Sequence, residues 1–352
     1  MNVRLDRKLV KISSLYWDSL GELHMVQAEE IIKLGYLHDF FESREAIPID
    51  TDIVLVQGPY GSIASLVEKL RVISQESRPV LAYWFQQSLQ LVGPRYLNSQ
   101  ISKFFSDLYW MEIHTRFGSG KKDWGAVRPS WLRGNRLGFM GDILWLGQNS
   151  LLDLLVLSSS VYADYFQTEK ISSLIVPRGY YPGYGKNLQL ARDIDLLWMG
   201  KTRTKRRKQI IHGLRESLNN RGMVMHVYDG VENGFIFGEK RTELLNRSRF
   251  VLNINSYSQA DELSIRYFIA AANGAVIIRE PNDNQYPFIP GKHLVECRPE
   301  EMPDVIEYYL DHPLERQRIA DDMLNLISTE LTLSNTISAI LERLKRTDRE
   351  SG

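Results

Sequence analysis

Gly200 to Lys208 reads GKTRTKRRK, six Lys or Arg in nine residues. It follows a short apolar run, Ile194 to Met199, and opens a stretch with helical spacing. Cations at a helix start oppose the helix dipole, so this segment needs a compensating anion. A diphosphate carrying about two negative charges meets that need, because helix-terminal N–H groups and basic side chains bind phosphate together. Gly200 at the turn, with Lys201, Arg206 and Arg207, makes up the phosphate-binding candidates. The competing reading is a solvated basic surface.

A second constellation lies in FVLNINSYSQADELSIRYFIAAANGAVIIRE, Phe250 to Glu280. Phe250 to Ile254 reads as a strand, and 256–262 as a polar loop. Ser264 is an N-cap for a helix over Ile265 to Ala272, which Asn273-Gly274 ends before a buried strand over Ala275 to Ile278. In open α/β sheets ligands bind past the carboxyl ends of strands, beside the next helix N-terminus. That position carries Asp261, Glu262, Ser264 and Arg266. Asp261 suits bidentate bonding to sugar hydroxyls, with Glu262 beside it; capping of the helix start serves either acid equally well. Arg266 could reach phosphate, or pair with Asp261 or Glu262. Tyr257 and Ser258 could stack on or bond a nucleobase. The three alanines and Gly274 let the helix pack closely on its sheet.

Other chemistry is thinner. None of the seven histidines forms a pair with metal-helix spacing, so no zinc is expected. His114, after a Trp- and Tyr-rich run, could act as a base toward an acceptor, and His24 is a similar candidate; a structural or surface role competes for both. Asp193-Ile194-Asp195 has the letters of a metal-binding DxD, but it precedes a strand, so it reads as a strand start with no catalytic metal. Walker and GxGxxG loops are lacking.

These residues need a scaffold, and the chain supplies one. Apolar runs at Val10–Trp17, Asp52–Gln57, Pro79–Phe85, Leu151–Leu157 and Ile171–Val176 alternate with helical spacing at Val26–Leu34, Ser62–Ser74 and Val161–Glu169. Strands alternating with helices predict βαβ units and a parallel sheet. Pro177 to Gly185 (PRGYYPGYG) reads as a linker. The pattern then restarts with Ile194–Met199, Arg206–Asn219, Met223–Tyr228 and Lys240–Ser248, and ends in helices over Met302–Asp311, Leu314–Ser328 and Ser334–Lys345. Phe104 to Asn149, rich in Gly, Trp and Arg, reads as irregular connection or as a site loop. The expected organisation is an N-terminal Rossmann-like domain over 1–176, a linker over 177–185, a second such domain over 186–325, and a C-terminal helical segment over 326–352 packing back toward the first domain. Two such domains joined by a hinge imply a cleft, a common place for nucleotides.

Composition narrows the function classes. Lys+Arg and Asp+Glu are both 43 in 352 residues, so wholesale polyanion binding gets no support and no nucleic-acid partner is expected. One cysteine, Cys297, excludes an intramolecular disulfide framework and fits a reducing compartment. No window is apolar enough for a membrane span, and the N-terminus lacks a signal-peptide core. A cytoplasmic protein is expected, with at most weak peripheral membrane contact.

The C-terminal half resembles the nucleotide-sugar-binding domain of GT-B glycosyltransferases, closest to the family-1/family-4-like bacterial group with the CgeB-type proteins. DIDLLWMGKTRTKRRKQIIHGL, VYDG, GEKRTELLNRSRFVLNINSY and DELSIRYFIAAANGAVIIREP stand in the family's order. The resemblance implies two Rossmann-like domains (GT-B), the acceptor domain over 1–176 and the donor domain over 186–325, phosphate contacts from Lys201 and Arg206 or Arg207, and base contacts near Tyr228 and Gly230. Arg266 matches an arginine of the CgeB-like motif. The family's two acids fall on Asp261 and Ile269; the second, which usually binds the donor ribose, is aliphatic here.

The expected function is therefore metal-independent sugar transfer from a nucleotide-diphospho-sugar, UDP- or GDP-linked, to an acceptor that is a glycan, small molecule or protein. No cofactor beyond that donor is expected. Asp261 and His114 are the catalytic candidates. The alternative is a non-catalytic nucleotide-sugar-binding or assembly module, which Ile269 favours. A GT-B epimerase would share the donor domain.

Overall fold

The computed structural model describes residues 9–17, 19–58, 63–86, 136–158, 162–202, 204–255, 264–282 and 286–350, without the side chains of 64, 65, 136–141, 164 and 346–350. The chain divides into two compact units, 1–176 with 337–352, and 177–336. Each is a parallel sheet with helices, an α/β architecture.

The first unit contains β1 (Lys11–Tyr16), α1 (Glu22–Lys33), β2 (Leu37–Glu42), β3 (Ile53–Gly58), α2 (Ala64–Arg71), β4 (Val80–Phe85), α3 (Arg136–Gln148), β5 (Leu154–Leu157), α4 (Ala163–Thr168) and β6 (Ser173–Ile175). Its six strands run parallel in the order β2-β1-β3-β4-β5-β6. Val54, Val56, Leu81, Tyr83 and Leu155 belong to one core cluster with Leu66, Leu70, Phe166 and Ile143 from the helices. Burying each such side chain contributes roughly 1.5–3 kcal/mol.

Two elements here depart from the sequence reading. β2 carries LHDFFE and is buried only at Phe41. An edge strand with one core residue has no apolar run to announce it. α3 occupies the end of the segment read as irregular; 104–135 lie outside the described residues. Ile143, Leu144, Trp145 and Leu146 are all buried, so this helix shows no amphipathic period. Gly147 lets it approach β6's lead-in closely, since a Cβ there would stand 2.4 Å from Ile171.

The second unit contains β7 (Ile194–Met199), α5 (Lys205–Asn220), β8 (Met225–Tyr228), α6 (Gly238–Arg247), β9 (Ser248–Asn253), α7 (Ile265–Ala272), β10 (Val276–Arg279), β11 (Val295–Glu296), α8 (Met302–Asp311) and α9 (Pro313–Thr329). The strand order is β11-β10-β9-β7-β8, all parallel. Leu196, Trp198, Phe250, Leu252 and Ile278 meet Ile211, Leu214, Ile306 and Ile319 in its core. Pro177 to Gly185, expected as a linker, lies within this unit. Tyr180 N donates to Leu331 O at 2.7 Å, and Leu333 N donates to Tyr180 O at 2.8 Å. Tyr184 is buried, with its carbonyl accepting from Asn273 Nδ2 at 3.3 Å. The final helix, α10 (Leu333–Glu350), starts in the second unit and belongs to the first from Ile337 onward.

Candidate functional site

In the second unit β7 comes first in sequence, with β8 on one side and β9 on the other. The strand order reverses between β7 and β9, and open α/β sheets hold ligands past the carboxyl ends at such a point. α5 and α7 start at this edge. Both are capped by hydroxyls: Thr204 Oγ1 accepts from Arg207 N at 3.2 Å, and Ser264 Oγ from Arg266 N at 3.3 Å. Ser264 is thus the N-cap read from sequence.

Trp198, fully buried near the end of β7, is the base of the site. Its Nε1 donates to Gly200 O at 2.8 Å. The guanidinium carbons of Arg266 and Arg207 lie 4.7 and 5.2 Å from its ring centroid. Desolvated cation–π contacts contribute up to about 2 kcal/mol each.

Arg266 ties three pieces together. Its Nε donates to Met199 O at 2.7 Å, and its Nη1 donates to Asn253 Oδ1 and Ser264 Oγ, both at 3.2 Å. Gly200 makes room for it. Its φ is +141°, and a Cβ there would stand 2.2 Å from Arg266 Nη2, so only glycine fits. Asn253 passes the network on, its Nδ2 donating to the Tyr267 hydroxyl at 3.3 Å. That hydroxyl also accepts from Arg279 Nη1 at 3.3 Å, and Arg279 Nε donates to Glu296 at 2.8 Å. Burial pushes the Tyr267 phenol up, against the neighbouring Arg279.

Arg207 is buried. Its Nη2 donates to Ile254 O at 2.7 Å and its Nη1 to Lys201 O at 3.1 Å. It holds the two loops that follow β7 and β9. Arg206 donates through Nη1 to Asn255 O and to Glu280 Oε1, each at 3.2 Å, and through Nη2 to Glu280 Oε2. Glu280 is 5% exposed, and its Oε1 also accepts from Asn255 N at 2.6 Å. Part of the anion that the cationic helix start requires is therefore internal. One third of the Arg206 side chain remains exposed (33%).

Lys201 is exposed, its ammonium 5.8 Å from the Phe235 ring centroid. Thr202 Oγ1 donates to Asp229 Oδ2 at 2.7 Å, and the amides of Val231 and Glu232 donate to Asp229 Oδ1 at 2.8 and 3.0 Å. Burial works to raise the Asp229 carboxyl, but these donors outweigh it and hold it below its ordinary value. Half-buried Tyr228 contributes backbone, its carbonyl accepting from Gly200 N at 3.0 Å.

The structure thus gathers Gly200, Lys201, Arg206, Arg207, Tyr228, Ser264 and Arg266 at one sheet edge. Asp261, His114, Tyr257, Ser258 and Glu262 lie outside the described residues. Ile269 is buried in α7 at 5% exposure, so the aliphatic substitution is a core residue. Asp195 Oδ2 accepts from Val224 N at 2.7 Å and its Oδ1 pairs with Arg249 at 2.6 Å, while Asp193 pairs with Arg247 at 2.6 Å. Those carboxylates serve the strand start. Among the described residues no three His, Cys, Asp or Glu are grouped to hold a metal, and no helix is long and apolar enough to cross a membrane. Burial pushes the Cys297 thiol up to about 12, too high for a nucleophile.

Sequence reasoning missed Trp198, Phe235 and Glu280. A single acid closing an apolar strand, as in VIIRE, was the available signal for Glu280. It also missed Gln57, a polar residue closing the apolar run IVLV. Gln57 is 3% exposed, and among the described residues neither its Nε2 nor its Oε1 has a hydrogen-bond partner. Its neighbour across the sheet, Trp84, leaves a buried Nε1 in the same state. His24 Nε2 and Gln27 Nε2, in the first turns of α1, do likewise. His24 Nδ1 accepts from Gly21 N at 3.1 Å, and burial lowers its pKa.

Residues 201–342 match a family model described as Glycosyl transferase-like. No curated protein matches by sequence. Among solved structures, Anabaena Alr3699/HepE in complex with UDP aligns at TM-score 0.54 and 10% identity, covering 96% of this chain and 100% of its own. Sucrose-phosphate synthase from Thermosynechococcus elongatus aligns at TM-score 0.55 and 11% identity, covering 96% and 99%. An alpha-glucosyltransferase in complex with UDP and DNA aligns at 0.58 and 9%, covering 96% and 100%. The fold is that of the GT-B glycosyltransferases.

Proposed function

We propose that a protein with this fold and this arginine-laced sheet edge transfers a sugar from a nucleotide-diphospho-sugar to an acceptor, without a metal. The observation that carries the reading is the convergence of Lys201, Arg206 and Arg266 with two capped helix starts at the β7/β9 edge. A leaving diphosphate gains charge as the glycosidic bond breaks, and preorganised donors stabilise that charge. Lys201 and the exposed part of Arg206 supply it directly. Arg266 adds charge from over the Trp198 ring. Arg207 acts as a positioning residue through the two carbonyls it holds. HepE has been crystallised with UDP and with UDP-glucose, which makes a UDP-sugar the first donor to try; GDP- and TDP-sugars complete the panel.

The catalytic roles of Asp261 and His114, and the donor contacts of Tyr257, Ser258, Glu262, Ser264 and Tyr228, belong to the same proposal. The acceptor is assigned to the first unit, whose orphaned amide at Gln57 suits a hydroxylated group. A cytoplasmic, CgeB-type bacterial enzyme is the finer reading.

The test is turnover of UDP-glucose, by hydrolysis or transfer, in the wild type and in Lys201→Ala and Arg206→Ala. Each loss of a preorganised donor should lower turnover roughly a hundredfold. Unchanged turnover in the double variant would remove the phosphate role. A non-catalytic module is the second reading, favoured by buried Ile269 where the family's ribose-binding acid is expected. Calorimetric binding of UDP-glucose with no turnover on any acceptor would select it.

A further inference from the structure

The first unit has a cavity of about 210 Å³ at the end of its sheet opposite to Gln57. Val10, Asp52 and Pro79, which line it, stand just before β1, β3 and β4, so the cavity lies at the amino ends of these strands. α10 closes it with Leu344 and Lys345, and Tyr36 adds an aromatic face. We infer that this cavity is a second ligand site, which takes a small organic anion with an apolar body.

Two backbone amides at this edge already have partners. Asp52 N donates to Lys11 O, and Val80 N to Asp52 O, both at 2.9 Å. Recognition therefore falls to side chains. Leu341 and Leu344 are each 5% exposed and form an apolar wall with Ile53 and Pro79. The Lys345 ammonium lies 5.1 Å from the Tyr36 ring centroid, with no carboxylate in ion-pair range among the described residues. Arg78, also lining the cavity, gives Nη2 to Ser150 O at 2.7 Å and forms no ion pair among the described residues. Two carboxylates, Asp52 and Glu76, also line the cavity. Asp52 Oδ2 accepts from Lys11 N at 2.8 Å, and Glu76 is exposed to water. Two cations without acid partners among the described residues, beside an apolar wall and a ring, favour an anion with a nonpolar body. An apolar cavity of about 150 Å³ holds benzene, so this one has room for a single ring carrying an acid group. α10 runs from the second unit into the first. An occupant wedged against Leu344 and Lys345 holds its latter half to the sheet edge.

The experiment uses the full chain, with benzoate as probe and benzyl alcohol as its neutral counterpart, by calorimetry and ligand-observed NMR. Benzoate should bind and benzyl alcohol should not. Lys345→Glu, at an exposed position, should weaken benzoate about tenfold, equivalent to roughly 1.4 kcal/mol; Arg78→Ala should weaken it less. Benzoate should also slow amide exchange along 337–345. Equal binding of the alcohol, unchanged affinity in Lys345→Glu, or no benzoate binding to the wild type would each overturn the assignment. None of these readouts depends on sugar transfer.

Discussion

The two units repeat one plan, a parallel sheet in which the second strand and the third flank the first. They furnish its carboxyl edge in opposite ways. The second unit fills the edge with guanidinium groups stacked on Trp198 and bonded to Met199, Asn253, Ile254 and Glu280. The first unit leaves neutral polar atoms of Gln57, Trp84, Gln27 and His24 buried and unmatched among the described residues. Cations held by internal partners form a preorganised anion site, because little reorganisation remains when charge develops. Buried neutral groups without partners cost free energy in the empty protein and recover it when a hydroxyl arrives. One topology thus carries a positive edge with bonded cations and a neutral edge with unmatched polar atoms.

Trp198→Ala should break the contrast most severely. It removes the surface under Arg207 and Arg266 and opens a cavity in a fully buried position, at a cost of about 4 kcal/mol. Urea denaturation should show the drop, and UDP binding should vanish with it. Retained UDP affinity in a folded Trp198→Phe variant and in the alanine variant alike would separate the tryptophan from the site.

Glu280→Ala comes next. It leaves Asn255 N without its acceptor and Arg206 without its carboxylate, at roughly 2–3 kcal/mol, since one partner keeps some solvent. The same change frees Arg206, so UDP affinity relative to stability should rise. A parallel fall in both would make Glu280 a positioning residue for donor binding as well.

Gln57→Met sharpens the comparison from the other side. Replacing an unmatched buried amide by an apolar chain of like size should stabilise the protein by about 1 kcal/mol. Acceptor-dependent turnover should fall while donor hydrolysis stays unchanged. Destabilisation by the same amount would show that the amide already has a partner in solution.

A further effect is in pH. Burial pushes His38, bonded to Ser14 Oγ at 2.9 Å, down to about 4, against the pull of Asp39. A folded pKa below the unfolded 6.5 means the unfolded chain binds the proton first. This contribution to stability is complete above 6.5 and is lost as pH falls toward about 4. His38→Gln should flatten the decline in urea midpoint over that window, in the first unit only.

Much of this was legible in the chain. The residue bounds of β7, α7 and α8 coincide with the runs read from sequence, because apolar stretches bounded by Ser264, Asn273-Gly274 and Gly200 carry their own start and stop signals. The cationic helix start was visible as a charge needing an anion. β2, α3 and β11 were not visible. A strand with one core residue, a helix with a run of consecutive buried residues and a two-residue strand have no period to detect.

What sequence alone determined was local: which segments could be helix or strand, where they stop, and that residues 200–208 hold more positive charge than a helix start tolerates. What only the tertiary structure decided was partnership. Arg206 and Glu280 stand 74 residues apart, and nothing local relates them. They meet because β9 lies between β7 and β10. Strand order, set by how whole sheets bury their faces, chooses which charges become neighbours and so which remain to meet a ligand.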